Sequence, residues 1–253
     1  MKKRMISVVA LVIFAIACET NAKEKDKPSP TYDAVNRKIT VDGNVGDWKG
    51  IKKAVVKGED HLWFGQGMTR EKWGGDKDLS YTWRATWSGD KLYFLFEVND
   101  DKLIDPAGQP NSYLNDCIEI LLDHKNRGGK RYVERDGKKT LRGYEMHFLP
   151  SSPHLVFLDD ALSPLYPMNK PQNATFKKDW AGEVKAKKMP TGYVMEIGLS
   201  VPGVKLGEGT VMGIDTDVCD DDGKGRKALQ IWTGKQVEFW VTMEHYGKLR
   251  LVE

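Results

Sequence analysis

From residue 80 to the C-terminus, apolar residues recur at every second position in short runs closed by Gly, Pro, Asn and Asp. A period of two puts alternate side chains on opposite faces of an extended strand. Residues 80–87 and 91–98 make one such pair, joined by the hairpin composition of Ser88, Gly89 and Asp90. In the second run Leu92, Phe94, Phe96 and Val98 share a face, which marks it as core. Residues 143–149, 155–158, 193–199, 210–219, 227–232 and 248–252 continue the pattern. Upstream, residues 37–41 read as a short strand, and residues 42–47 as a turn closed by Trp48. No segment of ten or more residues carries the apolar period of a helix. The expected fold is therefore all-β, an antiparallel β-sandwich, in one domain over residues 36–253. Residues 150–180 contain five prolines and read as a long surface excursion.

One strand breaks the pattern of its neighbours. In residues 117–123, Ile118, Ile120 and Leu122 share one face, while Cys117, Glu119, Leu121 and Asp123 share the other. Carboxylates are rarely buried unless they are paired. Glu119 and Asp123 therefore mark a polar site, a metal or a salt bridge, and Tyr113 supplies an aromatic ring at the strand's mouth. Asp116 falls on the opposite face from Glu119 and suits a strand anchor or a cation ligand.

The N-terminus changes the picture of where the chain resides. Lys2, Lys3 and Arg4 precede an apolar run over residues 5–17, too short to span a membrane and suited to a signal peptide. Residues 14–18, Phe-Ala-Ile-Ala-Cys, resemble a bacterial lipobox, so Cys18 is the expected lipidation site. Residues 18–35 then form a charged, Pro-containing tether. The expectation is an exported protein, lipid-anchored to the outer membrane or cell surface. Those three basic residues account for the whole formal charge of +3, because residues 1–17 contain no acid. A neutral mature chain excludes nucleic acid as the natural partner. Cys117 and Cys219 remain after export, and a disulfide between them becomes possible if their strands adjoin and their Cα atoms lie within about 7 Å.

Candidate chemistry is selective. Glycosidases place two carboxyl groups about 5 to 9.5 Å apart. Glu119 and Asp123 are roughly 13 Å apart along one strand, so the strand alone holds no catalytic pair and no enzyme activity is expected. Residues 215–223 are acidic but fail the EF-hand spacing, which leaves two readings, a solvated acidic turn or a structural calcium site drawing on Asp100, Asp220 and Asp222. His147 alternates with Glu145 as a candidate ligand-facing pair. Trp48, Trp83 and Trp87 belong with core strands. Trp63, Trp73 and Trp240 lie on loops or connections, where a ring can stack on the C–H face of a pyranose.

The order of these motifs resembles the family 9 carbohydrate-binding modules. Residues 39–48 (ITVDGNVGDW) are similar to the family's opening signature, residues 83–98 to its hairpin, residues 115–123 to its D-S-V-E-I-F-I-D strand, and residues 192–199 to its G-Y-x-V-E segment. Residues 213–219 and 246–251 complete the series. The resemblance implies a β-sandwich that holds sugar chain ends between two aromatic plates, with structural calcium. By position it implies Tyr113 and Trp240 as plates and Glu119 as a carboxylate bonding sugar hydroxyls. Glu145 and His147 fall where the family has an Arg and an Asn, and Val237 falls where it has an Asn. The expected partners are mono- or oligosaccharide ends, captured in support of polysaccharide breakdown. A partner-binding scaffold without a sugar is the alternative. Related sandwiches also hold b-type haem, for which Met146 and His147 are the ligand types present. Adjacent strand residues point to opposite faces, so the two are not expected to ligate one iron.

Overall fold

The computed structural model describes residues 28–104, 112–136, 138–151, 155–157, 182–201 and 203–253. Among these residues the strands are β1 (Thr31–Asn36), β2 (Ala54–Val56), β3 (Leu79–Ser88), β4 (Lys91–Asp100), β5 (Cys117–Asp123), β6 (Tyr132–Arg135), β7 (Lys138–Leu141), β8 (Tyr144–Phe148), β9 (Leu155–Phe157), β10 (Gly182–Met189), β11 (Gly192–Ser200), β12 (Val211–Asp221), β13 (Arg226–Ile231) and β14 (Gly247–Val252). Ten lie on one hydrogen-bonded path, β10-β11-β4-β3-β1-β14-β12-β5-β8-β9. β13 pairs with β12 and β2 with β3, while β6 and β7 form a separate hairpin.

The path curls so that its two halves face each other. Leu92, Phe94, Phe96, Ile197 and Leu199 from one half share a core with Ile118, Ile120, Met146, Phe148, Ile214 and Leu249 from the other. The Tyr81 hydroxyl on β3 donates to the Thr216 carbonyl on β12 across this core, at 2.6 Å. Trp83 stacks on Tyr32 at 4.6 Å and meets the edge of Trp232 at 4.9 Å. The all-β sandwich read from the alternation is the observed fold.

The seam between the halves was hidden in the expected tether. Thr31–Asn36 form β1, which runs parallel to both β14 and β3. All other pairs among the described strands are antiparallel. Tyr32 and Ala34 are buried between exposed neighbours, a two-residue period too short to stand out from the charged segment before it. Residues 37–41, expected as a strand, are irregular. Instead Ile39, Val41, Trp48 and Ile51 pack onto Tyr93 and Leu95, covering the outer face of β4. Strands β6, β7 and β10 carry too little alternation of apolar residues to be read from sequence. Cys18, the signal segment and most of the 150–180 excursion lie outside the described residues.

Glu196 on β11 pins the covering segment. Its buried carboxylate accepts from the backbone N–H groups of Asp42 (3.1 Å) and Gly43 (2.6 Å) and from Trp48 Nε1 (2.8 Å). The turn signature at residues 42–48 and the glutamate of the 192–199 segment are therefore two sides of one contact. Hydrogen bonds to a charged group contribute about 1.5–3 kcal/mol, and buried donors left unpaired are costly. Glu196→Ala is expected to lower unfolding stability by about 3 kcal/mol, measured by chemical denaturation.

Candidate functional site: an aromatic rim over a buried polar cluster

β5 lies between β12 and β8, and its register decides what gathers on its outer face. Glu119 stands opposite Asp217 on β12 and opposite His147 on β8, and Cys117 stands opposite Cys219. Ile118, Ile120 and Leu122 point into the core, as the alternation requires. The outer face carries a second apolar cluster of Trp63, Met68, Cys117, Leu121, Cys219, Leu229, Phe239 and Met243, against which Tyr113, Val237 and Trp240 pack half-buried. The two expected plates thus rest on one cluster. Trp240 meets Trp63 at 5.2 Å and Phe239 at 4.9 Å, both edge-on. The Arg226 guanidinium lies over the Tyr113 ring, 5.4 Å from its centroid.

Beneath the rim the polar residues are enclosed. Glu119 is 2 %, Glu145 6 % and His147 0 % exposed. Arg131 Nη2 lies 2.7 Å from Glu145 Oε2. His147 Nε2 lies 3.3 Å from Glu145 Oε1 and 3.5 Å from Glu119 Oε1. Burial opposes ionisation of Glu145, but the hydrogen bond from His147 and the charge of Arg131 outweigh it and hold the carboxyl below its usual range. Burial likewise works against charge on His147, yet the carboxylates of Glu119 and Glu145 raise its pKa above that of a free imidazole. Asp217 is raised well above the carboxylate range, first by burial and then by Glu119. The three residues expected to bond sugar hydroxyls therefore form a floor, and the rings of Tyr113 and Trp240 form the accessible rim.

The cysteines adjoin as expected but carry no disulfide; both are free and buried. Each thiol lies near Glu119 Oε1, Cys219 at 3.4 Å and Cys117 at 3.8 Å, and the two thiols also interact with each other. Met146 lies in the sandwich core and His147 on the opposite face, so these two haem-ligand types are not brought together.

The expected cation ligands divide into two groups. Asp100, at the end of β4, and Asp220, on β12, converge with Asp116, and one oxygen from each lies within 4.8 Å of the others. Oxygens bound to one calcium at 2.3–2.6 Å are at most about 5 Å apart, so the trio fits that ion. Neither Asp220 oxygen has a hydrogen-bond partner among the described residues, though Lys227 Nζ lies 3.6 Å from Oδ2, while Asp116 accepts from the N–H groups of Ile104 and Asp221. Burial, reinforced by the neighbouring acids, pushes Asp100 up to about 6, Asp220 to about 8 and Asp116 to about 9. Asp222 belongs elsewhere: its Oδ2 lies 2.6 Å from Lys227 Nζ, grouped with Asp78 and Asp101. It borders a cleft of about 790 Å³ that Lys72, Lys102, Lys224, Arg226 and Lys227 also line. Arg226 belongs both to this cleft and to the Tyr113 ring.

Sequence reasoning placed Asp217 only in the acidic run, whereas register sets it opposite Glu119; it missed Arg226, Arg131 and Ser112, which β13 and the segments outside the strands bring to the cluster. Trp63 was noted only as a loop aromatic. Its ring lies so close over Gly65 that an added Cβ there would fall 2.1 Å from it.

A family model described as carbohydrate family 9 binding domain-like matches residues 57–253. The chain belongs to this family. The match starts after the Asp42–Trp48 turn, which is held to the matched span through Glu196. A family 9 carbohydrate-binding module from Caldicellulosiruptor kristjanssonii in complex with cellotriose has the same fold, with a TM-score of 0.62 at 18 % identity, over 88 % of this chain and 93 % of that one. The same module in complex with glucose aligns with equal TM-score over 87 % of this chain and 95 % of that one. Endo-1,4-beta-xylanase A of Thermotoga neapolitana is 23 % identical over 70 % of this chain but only 14 % of its own length. Exoglucanase XynX of Acetivibrio thermocellus is 21 % identical over 89 % of this chain and 17 % of its own length. The chain thus spans about a sixth of these curated relatives, and the family is one of carbohydrate-binding domains.

Proposed function

We propose that this protein is a non-catalytic carbohydrate-binding protein of a bacterial envelope, lipid-anchored through Cys18, that captures mono- or oligosaccharide ends for polysaccharide breakdown. The observation that carries the reading is the placement of Tyr113 and Trp240 on one apolar cluster, with Arg226 joining Tyr113 to a polar cleft. A stacked ring covers the C–H face of a pyranose, and polar groups at the cleft meet its hydroxyls. The solved relatives in complex with cellotriose and glucose make β-linked glucose ends the first candidates. Five cations against Asp101 and Asp222 at the cleft make uronic-acid oligosaccharides the second. Calcium held by Asp100, Asp116 and Asp220 would tie the ends of β4 and β12 to the segment entering β5, and so steady Tyr113 in the turn just before Asp116.

A partner-binding scaffold is the second reading, favoured by the burial of Glu119, Glu145 and His147. A glycan panel containing both neutral and acidic ends, screened in calcium, separates the two. Binding that concentrates on one terminal sugar supports capture, and silence across the panel supports the scaffold. Loss of membrane association in Cys18→Ala cells checks the anchor.

A further inference from the structure

The outer face of β5 and β12 holds donors that ring stacking does not use. Cys117, Glu119 and His147 bring a sulfur, a carboxylate oxygen and an imidazole nitrogen within 4.8 Å of one another, and Glu119, Asp217 and Cys219 do the same. Glu119 belongs to both groups. Its Oε1 lies 3.8 Å from Cys117 Sγ, 3.4 Å from Cys219 Sγ and 3.5 Å from His147 Nε2. Zinc–ligand bonds of 2.0–2.3 Å put neighbouring ligand atoms of a tetrahedron about 3.3–3.8 Å apart. Glu119 Oε1 therefore stands at that spacing from each of the other three donors.

Two further features point to a cation. Ser112 Oγ lies 2.8 Å from His147 Nδ1, which fixes the ring so that Nε2 faces both Glu145 and Glu119, at 3.3 and 3.5 Å. A partner on the far ring nitrogen is the usual support of a metal-bound histidine. Asp217 is fully buried, and neither of its oxygens has a hydrogen-bond partner among the described residues. An unpaired buried carboxylate is rare in a native fold. Arg226, whose Nη1 lies 3.7 Å from Cys219 Sγ, makes no hydrogen bond to Asp217, and a metal ion beside Glu119 and Cys219 supplies that partner.

We propose that Cys117, Glu119, His147 and Cys219, with Asp217 beside them, bind a thiolate-preferring divalent cation of the zinc type. Binding transfers one proton from each thiol to solvent and leaves two thiolates on the metal. Sulfur and imidazole ligands separate this site from the all-oxygen cluster of Asp100, Asp116 and Asp220, which suits a hard cation. The site does not depend on the sugar reading, because it is measured with metal alone.

The test titrates the purified, chelator-stripped and reduced protein with zinc(II) and then cobalt(II), with calcium in excess to fill the oxygen cluster. One zinc per chain and a thiolate-to-cobalt charge-transfer absorption are expected. Cys117→Ser and Cys219→Ser lose that absorption. Ser112→Ala, a positioning change, weakens zinc binding by about ten- to a hundredfold with calcium binding unaltered. Absence of the charge-transfer absorption in the wild-type protein overturns the proposal and requires no variant. Undiminished zinc uptake in the double Cys→Ser variant overturns it equally.

Discussion

Calcium removal is expected to lower the melting temperature by about 10 °C and to change how stability responds to pH. A site filled at a thousandfold its dissociation constant contributes about 4 kcal/mol, and each kcal/mol shifts a domain of this size by about 2–4 °C. The sign of the pH response follows from the acids. In the ion-free fold, burial holds Asp100, Asp220 and Asp116 protonated up to about 6, 8 and 9. The unfolded chain gives up those protons near pH 3.9. Unfolding then releases protons, so stability falls as pH rises from about 4 through 9. Bound calcium keeps the trio ionised and removes its share of that slope. Asp215, pushed up to about 7 by burial against its bonds to Thr233 and Thr216, leaves a residual slope in both forms. Differential scanning calorimetry at pH 5, 7 and 9, with calcium or chelator, checks this. A melting temperature indifferent to calcium would remove the trio from the account.

Removing a plate is the second large effect. A ring stacked on a sugar takes roughly 80–100 Å² of apolar surface out of water, about 2–2.5 kcal/mol, or about thirty- to sixtyfold in affinity. Trp240→Ala and Tyr113→Ala are each expected to weaken sugar binding by that factor. Trp240 also braces Trp63 and Phe239, so Trp240→Ala loses stability as well, and Trp240→Phe retains most of both. The calcium-binding midpoint of each variant, measured alongside, separates lost stacking from lost fold. Glu119→Gln, beneath the rim, is expected to change sugar affinity far less than either plate variant.

The legible part of this chain was local. Period two placed Ile118, Ile120 and Leu122 in the core and Cys117, Glu119 and Leu121 on the opposite face. The chain order of the motifs fixed the family fold. Illegible were the contacts set by register between distant strands. Asp217 faces Glu119 because β12 aligns with β5, and no spacing within either strand encodes that. Strand β1 escaped notice because its buried Tyr32 and Ala34 follow a charged, Pro-containing run, and its parallel pairing brings together residues more than 200 positions apart. Burial altered the role of Glu119. A carboxylate on the outer face of a strand looked like a ligand-binding acid, yet Cys117, Cys219, His147 and the aromatic cluster cover it.

The central claim is that the Tyr113–Trp240 rim holds the end of a sugar chain. Calorimetric titration of the wild-type protein, in calcium, with the oligosaccharide that the glycan panel ranks first tests it most directly. One site per chain is expected, enthalpy-driven and with a negative heat-capacity change, and it is lost in Tyr113→Ala. Equal affinity in wild type and Tyr113→Ala would contradict it, as would an absence of binding heat.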